Sequence, residues 1–324
     1  MNYIDRAIST SLVHLYITSV NDPGTLGLLR ENAVIAITGA FGVTSKTVIQ
    51  RHLGLSRESV NKLINRMKKK QLINVHPTFS NTDKNFIMLT SHGIREAEFL
   101  LNRELHLRSD VSRVNERNLI HDLSVQVVVL DLVKHQKING FATERDIAIQ
   151  LEDRANDSRL IDALVVDIDT GNRIGLEMET SNAKNKANGE LRKKILLKYL
   201  QEFENNKGLY KFIFMYSHRQ RFLTQIEKTH TKVFARDSQH FSKEQQQLLS
   251  SHIKFKASEC DTIFELMFNS NRQLGSDNVE LIKKNDYLRR LAELEKLAQD
   301  TDDRIIEIRL DGYKEAGKVS GLLV

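Results

Sequence analysis

Residues 160–180 read LIDALVVDIDTGNRIGLEMET, and this stretch decides the class of fold. Two runs rich in branched apolar residues, 160–167 and 173–180, flank a polar turn at residues 169–172. Such runs on either side of a short turn that contains glycine are typical of two antiparallel strands joined as a hairpin. We therefore predict a sheet here, around which the neighbouring segments are arranged.

The acidic residues of this hairpin are the candidate site. Because side chains alternate along a strand, Glu177 and Glu179 share one face of the second strand, and Asp162 begins the strand beside it. Three carboxylates at a strand junction are the oxygen-only donors that Mg²⁺ or Mn²⁺ prefers, and such an ion can activate a water for attack on a phosphodiester. From spacing alone, an exposed acidic face of an edge strand fits as well.

The segments around the hairpin alternate between helical and strand patterns. Residues 118–132 are apolar on most faces and predict a buried helix, whereas residues 191–203 have the period of an amphipathic helix. Residues 211–216 predict a third apolar strand, and residues 253–256 a final strand that joins the same sheet. This order predicts an α+β fold with a mixed sheet over residues 106–260.

At the end of the chain, the sequence predicts a helical or coiled-coil extension over residues 261–324. From residue 277 onward, Leu and Ile recur within a highly charged sequence, which is typical of long amphipathic helices. The repeat is too broken to indicate an oligomeric state. Such an extension is suited to docking a partner protein or a second copy of the chain, and a helical cap on the core is the alternative.

Residues 57–70, RESVNKLINRMKKK, carry most of the net positive charge of the chain. They hold six Lys and Arg residues against one Glu, a net charge of +5. Ser56 and apolar residues at three- and four-residue spacing predict a capped helix, and residues 44–53 predict a shorter one before it. The pair predicts a helix-turn-helix whose second helix lies in the major groove of DNA. The candidate DNA-binding residues are Arg57, Ser59, Asn61, Lys62, Arg66, Lys68 and Lys69.

Two strand patterns, at residues 72–75 and 86–90, follow this helix, and a helix pattern at residues 91–101 ends the segment. The sequence therefore predicts a winged helix-turn-helix domain over residues 1–105, with double-stranded DNA as its partner. Arg57 is then placed to read a base edge, and the lysines at the far end of the helix to contact phosphates. A solvated helix end and a trihelical module that binds protein fit the same pattern.

Composition excludes several classes of protein. The 324 residues include 48 Lys and Arg against 42 Asp and Glu, and no apolar run approaches the roughly 18 residues of a membrane span. The single cysteine, Cys260, excludes a disulfide framework and a cysteine-based zinc site. The sequence also lacks a His-x-His pair, a P-loop and a Gly-x-Ser-x-Gly elbow. Together with the lack of a secretion signal, these features predict a cytoplasmic protein.

The order of these motifs resembles a known family. The segments RNLIHDLSVQVVVLDL, ATERDI, RLIDALVVD, IGLEMETSN and LRKKILLKYL look like those of the MobC-type relaxases of mobilizable plasmids and of the related replication-relaxation proteins. The resemblance covers about residues 30–220 and implies a winged helix joined to a restriction-endonuclease-like core with a PD-(D/E)xK motif. Asp162 stands at the Asp of that motif and Glu177 at its (D/E), so Glu179 replaces its lysine.

The resemblance implies a relaxase that nicks DNA at a plasmid transfer origin with one or two Mg²⁺ or Mn²⁺ ions, held by Asp162, Glu177 and Glu179. Lys186 is the candidate for the missing cation, with Lys184 and Lys193 as alternatives. Glu144 and His121 are candidate accessory residues, although a lone helical histidine is more often structural. An accessory relaxosome protein, a coupling protein and a second copy of the chain are the further partners implied.

Two other functions fit the same residues. The acidic residue at position 179 motivates the first, a catalytically inactive winged-helix regulator of plasmid replication or transcription. The second is a general metal-dependent nuclease with defence or repair duties. Cleavage of DNA that lacks any transfer origin separates this nuclease from a relaxase.

Overall fold

The structure is a computed structural model, and the residues it describes form both helices and strands. It describes residues 2–17, 22–151, 161–180, 190–205, 208–237, 239–268, Glu295 and Lys314. The α-helices are α1 (Tyr3–Thr10), α2 (Pro23–Phe41), α3 (Lys46–Leu53), α4 (Arg57–Lys69), α5 (Ser91–Leu101), α6 (Leu119–Lys134), α7 (Glu144–Leu151), α8 (Glu190–Glu204), α9 (Gln220–Arg236), α10 (Lys243–His252) and α11 (Cys260–Phe268). The strands are β1 (Ile73–Pro77), β2 (Asn85–Leu89), β3 (Ile138–Thr143), β4 (Ala163–Asp167), β5 (Arg173–Met178), β6 (Phe212–Tyr216) and β7 (Ile253–Phe255).

The larger sheet contains five strands in the order β3-β4-β5-β6-β7. Strands β3, β4 and β5 pair antiparallel, whereas β5, β6 and β7 pair parallel, so the sheet is mixed. The hairpin β4–β5 turns at Gly171, whose φ of +66° lies in the left-handed region that glycine adopts without strain. The prediction of an α+β fold with a mixed sheet is confirmed, and β7 is the predicted final strand.

Helices cover this sheet on both faces. Leu176 and Met178 of β5 belong to the apolar cluster that includes Leu123 of α6. Ile213 of β6 belongs to a second cluster, which includes Ile195 of α8. Because side chains alternate along a strand, Glu177 and Glu179 point away from the face that α6 covers and toward the face that α8 covers.

The N-terminal helices α2, α3 and α4 are followed by the two-stranded sheet β1–β2 and by α5. Ser45 and Ser56 are the N-caps of α3 and α4, as their side chains accept backbone N–H groups of the first turn. The predicted apolar stripe of α4 is buried, and its members are Val60, Leu63, Ile64 and Met67. A backbone bridge from Thr44 to Ile87 ties the start of α3 to β2.

Polar contacts hold these N-terminal elements on the five-stranded unit. Arg51 of α3 forms an ion pair with Asp131 of α6 at 2.6 Å. Arg103, just after α5, forms an ion pair with Asp146 of α7, and both side chains are 1 % exposed. The guanidinium of Arg145 donates to the carbonyls at the end of α2. Since one apolar cluster also spans both sets of elements, we expect them to unfold together.

Several elements differ from the sequence interpretation or lie beyond it. Strand β3 was not predicted; it begins at Ile138, shortly after the end of α6. Helices α1, α2, α7 and α9 were not predicted. Of the predicted helical extension over residues 261–324, the structure describes residues 261–268, which belong to α11, and Glu295 and Lys314, whose side chains pair at 2.9 Å. No helix within the described residues has the length and apolar character needed to cross a membrane.

Candidate functional site

The candidate site lies where β4 begins and β5 ends. The backbone N–H of Asp162 donates to the carbonyl of Leu176, one step beyond the Ala163–Leu176 pair of the hairpin. Asp162 and Ala163 thus share Leu176 as their partner, as in a β-bulge, so Asp162 is one residue out of register and the convergence of its carboxylate with Glu177 stays a prediction. Asp162 Oδ2 accepts the backbone N–H of Met178 at 2.5 Å, which fixes the carboxylate at the end of β5. Glu177 is fully buried, with 0 % of its surface exposed.

His121 of α6 contacts the Asp162 carboxylate. Its Nε2 lies 3.3 Å from Asp162 Oδ2, and its Nδ1 lies 3.1 Å from Asp122 Oδ1. Burial alone would lower the pKa of His121, but the hydrogen bonds and charges of the two carboxylates outweigh burial and raise the pKa to about 10. The imidazole is therefore a cation at neutral pH. Of the three acidic residues of the motif, His121 is thus seen to contact Asp162.

A buried arginine pairs with the second glutamate. Arg192 of α8 places its Nη2 3.1 Å from Glu179 Oε1, and the two side chains are 0 % and 2 % exposed. The predicted alternative Lys193 instead forms an ion pair with Asp237 at 3.1 Å. Lys184 and Lys186 lie outside the described residues. Arg192 is thus a second cation beside the motif, after His121, and sequence reasoning missed it.

Parallel pairing brings the end of β6 next to these residues. Glu179 donates its backbone N–H to Tyr216 O at 2.9 Å, and Ser217 Oγ donates to Glu179 O at 2.6 Å. Glu144, the predicted accessory acid, begins α7, and its backbone N–H donates to Asp162 O at 3.1 Å. These residues therefore lie at one end of the central strands β4, β5 and β6, with α6 on one face of the sheet and α8 on the other.

The donor set can be compared with what a divalent ion needs. Within the described residues, no group of three or more His, Cys, Asp and Glu side chains is arranged to hold a metal ion. Mg²⁺, however, is commonly bound by one or two carboxylates, with waters and substrate phosphates completing its shell. Asp162 and Glu177 are two carboxylates of this kind, of which Asp162 also contacts the His121 cation, and Glu179 is paired with Arg192. The residues fit a two-carboxylate site better than the predicted three-carboxylate site.

The predicted DNA-binding helix α4 is less free than its sequence suggests. Arg57 pairs with Asp83, whose side chain is 3 % exposed, and Arg66 and Lys70 both pair with Glu31, whose side chain is 4 % exposed. These acids lie on other elements, so the pairs hold α4 in place. Three of the six basic side chains in residues 57–70 therefore have buried carboxylate partners.

The remaining predicted DNA-binding residues differ in their surroundings. Lys62 pairs with Glu58 on the same helix at 2.7 Å, and both side chains are more than 70 % exposed. Ser59 lies in the first turn, where its backbone N–H is capped by the Ser56 hydroxyl, and Asn61 is half-buried. Lys68 and Lys69 are exposed at the end of the helix. These two lysines are the best placed to meet a phosphate backbone.

Comparisons of this chain with protein families, with curated proteins and with solved structures find no match. The function is therefore argued from the geometry of the site.

Proposed function

We propose that this chain is a metal-dependent DNA endonuclease of the relaxase kind, which nicks plasmid DNA at a transfer origin. One observation carries the proposal: the Asp162 carboxylate, at the start of β4, accepts the backbone N–H of Met178 at the end of β5, directly next to the buried Glu177. Burying a carboxylate is costly unless a partner or an ion compensates its charge, so such a pair favours a functional site over a chance acidic face. This arrangement is the one expected of a PD-(D/E)xK core.

In this proposal Asp162 and Glu177 hold Mg²⁺ or Mn²⁺ from the protein side. When bound, the ion supplies an acidified water and stabilises negative charge on the phosphate. His121 keeps the Asp162 carboxylate oriented, and the Met178 N–H holds the same carboxylate from the strand. Glu179 stands at the position of the motif lysine, and Arg192 compensates its charge.

The N-terminal elements supply DNA binding in the proposal. Helices α3 and α4, the β1–β2 hairpin and α5 follow the order of a winged helix-turn-helix, with α4 as the helix that enters the major groove. The ion pairs between these elements and the core keep the DNA-binding helix at a fixed position relative to the acidic residues. A cytoplasmic enzyme of this kind would meet an accessory relaxosome protein, a coupling protein or a second copy of itself.

The test uses supercoiled plasmid with and without a candidate transfer origin, incubated with wild-type protein in Mg²⁺ or in EDTA. A relaxase gives open-circular product only from the origin plasmid and only with the metal ion. Nicking of both plasmids indicates instead a general nuclease. Binding of the origin duplex with no open-circular product in Mg²⁺ or Mn²⁺ contradicts the enzymatic proposal.

A second candidate function is a winged-helix regulator whose nuclease-like core is inactive. The Glu179–Arg192 pair favours it, because a buried carboxylate neutralised by arginine is less available to a metal ion. Under this function, Asp162→Asn and Glu177→Gln leave DNA binding and its regulatory output unchanged. A reporter gene placed downstream of the bound site distinguishes the two functions.

A further inference from the structure

A cluster of basic and aromatic side chains lies next to the acidic residues, at the end of β6 and the start of α9. We call it the Arg219 cluster. Its members are His218, Arg219, Arg221, Phe222, Phe264 and Phe268. Ser217 joins it to the acidic site, since its hydroxyl donates to Glu179 O at 2.6 Å and accepts the Arg219 N–H at 3.2 Å.

The two arginines lie against aromatic rings. The guanidinium carbon of Arg219 is 5.7 Å from the ring centre of Phe222 and 6.0 Å from that of Phe264, and Arg221 is 5.3 Å from Phe222. Neither arginine forms an ion pair with another described residue. Arg219 is half-buried and Arg221 is exposed. Because no described residue neutralises them, the charges of Arg219 and Arg221 are available to an external anion.

Two further features of the cluster favour an anion. Helix α9 is 17 residues long, and its N-cap, Arg219, makes no side-chain cap hydrogen bond, so the positive end of the helix dipole faces the cluster. His218 is 5 % exposed, and its Nδ1 has no hydrogen-bond partner among the described residues. Burial first, and then the nearby arginines, lower the pKa of His218 to about 4. Its ring is therefore neutral and stacks on Phe268 at 4.4 Å.

We propose that the Arg219 cluster binds a single-stranded stretch of DNA beside the acidic site. Arg219 and Arg221 contact phosphates, and the half-buried ring of Phe222 or Phe264 stacks on an unpaired base. Arginines that follow a backbone, interleaved with aromatic rings, are the usual means of binding single strands without sequence preference, because only unpaired bases offer a free π-face. The identity of the ligand as DNA rests on the proposed function.

The test measures binding of a fluorescein-labelled oligo-dT of twelve nucleotides by fluorescence anisotropy, with the full chain and in EDTA. Replacing both arginines by alanine should raise Kd roughly tenfold for each lost contact. It should also lower the slope of log Kd against log salt by about 0.7 per contact. Phe222→Leu, which keeps an apolar side chain, should raise Kd about fivefold or more. Lys228→Ala with Lys232→Ala is the matched control, since both lysines are exposed on α9.

The outcomes separate this inference from the proposed function. If wild type does not bind oligo-dT, or if the double arginine variant binds like the lysine control, the inference is wrong, even when wild type nicks plasmid. If the arginine variant alone loses oligo-dT while no divalent ion supports nicking, the cluster is a DNA-strand site and the enzymatic proposal fails. Unchanged duplex affinity and thermal unfolding of the arginine variant show that its fold is intact.

Discussion

Replacing Lys68 and Lys69 by alanine should weaken duplex binding more than replacing Arg66 does. The two lysines are exposed at the end of α4, whereas Arg66 is engaged with the buried Glu31. Each lost phosphate contact lowers the slope of log Kd against log salt by about 0.9, so this slope should be lower by about 1.8 in the double lysine variant than in wild type. Arg66→Ala should change this slope by less than half as much.

The same substitutions should have the opposite order of effect on stability. Arg66→Ala leaves Lys70 as the remaining partner of Glu31, and the Arg66 side chain is 47 % exposed. Because water screens a half-exposed pair, we expect a cost of about 1 kcal/mol in the free energy of unfolding. The exposed lysines should change stability by less than about 0.5 kcal/mol.

The assay is fluorescence anisotropy on a labelled duplex of about 20 base pairs, over a series of salt concentrations, with urea unfolding in parallel. Lys228→Ala with Lys232→Ala again serves as the control for loss of two surface charges. A wild-type salt slope in the double lysine variant, together with a large loss in Arg66→Ala, would refute this assignment of roles on α4.

Three further predictions concern stability. Arg103→Met should lower the free energy of unfolding in urea by about 3–5 kcal/mol, because it leaves the buried Asp146 without its cation. Adding Asp146→Asn should recover part of this loss. A loss below about 1 kcal/mol would contradict an ion pair that is buried away from water. Burial, and then the charge of Arg192, lower the pKa of His230 from 6.5 to about 3. Below pH 6.5 the unfolded chain therefore binds a proton at His230 that the folded chain does not, so the free energy of unfolding falls as the pH drops. Wild type should lose about 2 kcal/mol more than His230→Phe between pH 7 and pH 5, and equal losses would speak against the shift. Gly93→Ala should lower the thermal unfolding temperature by several degrees, because a Cβ there would lie 1.9 Å from the carbonyl oxygen of Leu72, and an unchanged midpoint would contradict that contact.

Local patterns predicted much of the sheet and of the N-terminal helices. The hairpin at residues 160–180 and helix α4 have strong periodicity, a glycine turn and a serine cap, which are signals that neighbouring residues provide. Helix α9 was missed although its buried residues recur every three or four positions. Two of the five are Thr229 and His230, and these polar residues weaken the apolar stripe.

The partners of the charged residues could not be predicted, because they depend on packing between distant segments. Glu31 lies 35 residues before Arg66, and nothing near either residue signals the pair. Arg192 left a local trace, since it occupies the same stripe of α8 as Ile195 and Tyr199. A basic residue on a buried stripe predicts a buried carboxylate partner, and here that partner is Glu179.

The most direct test of the enzymatic proposal is single-turnover nicking of supercoiled origin plasmid in Mg²⁺ by wild type, Glu177→Gln and Glu179→Gln. We expect open-circular product with wild type, a loss of at least about 100-fold in rate with Glu177→Gln, and a smaller loss with Glu179→Gln, whose carboxylate is paired with Arg192. Duplex binding through α4 should be equal in all three proteins. Equal nicking rates for wild type and Glu177→Gln, or nicking that persists in EDTA, would contradict the assignment of Asp162 and Glu177 as the metal-binding pair.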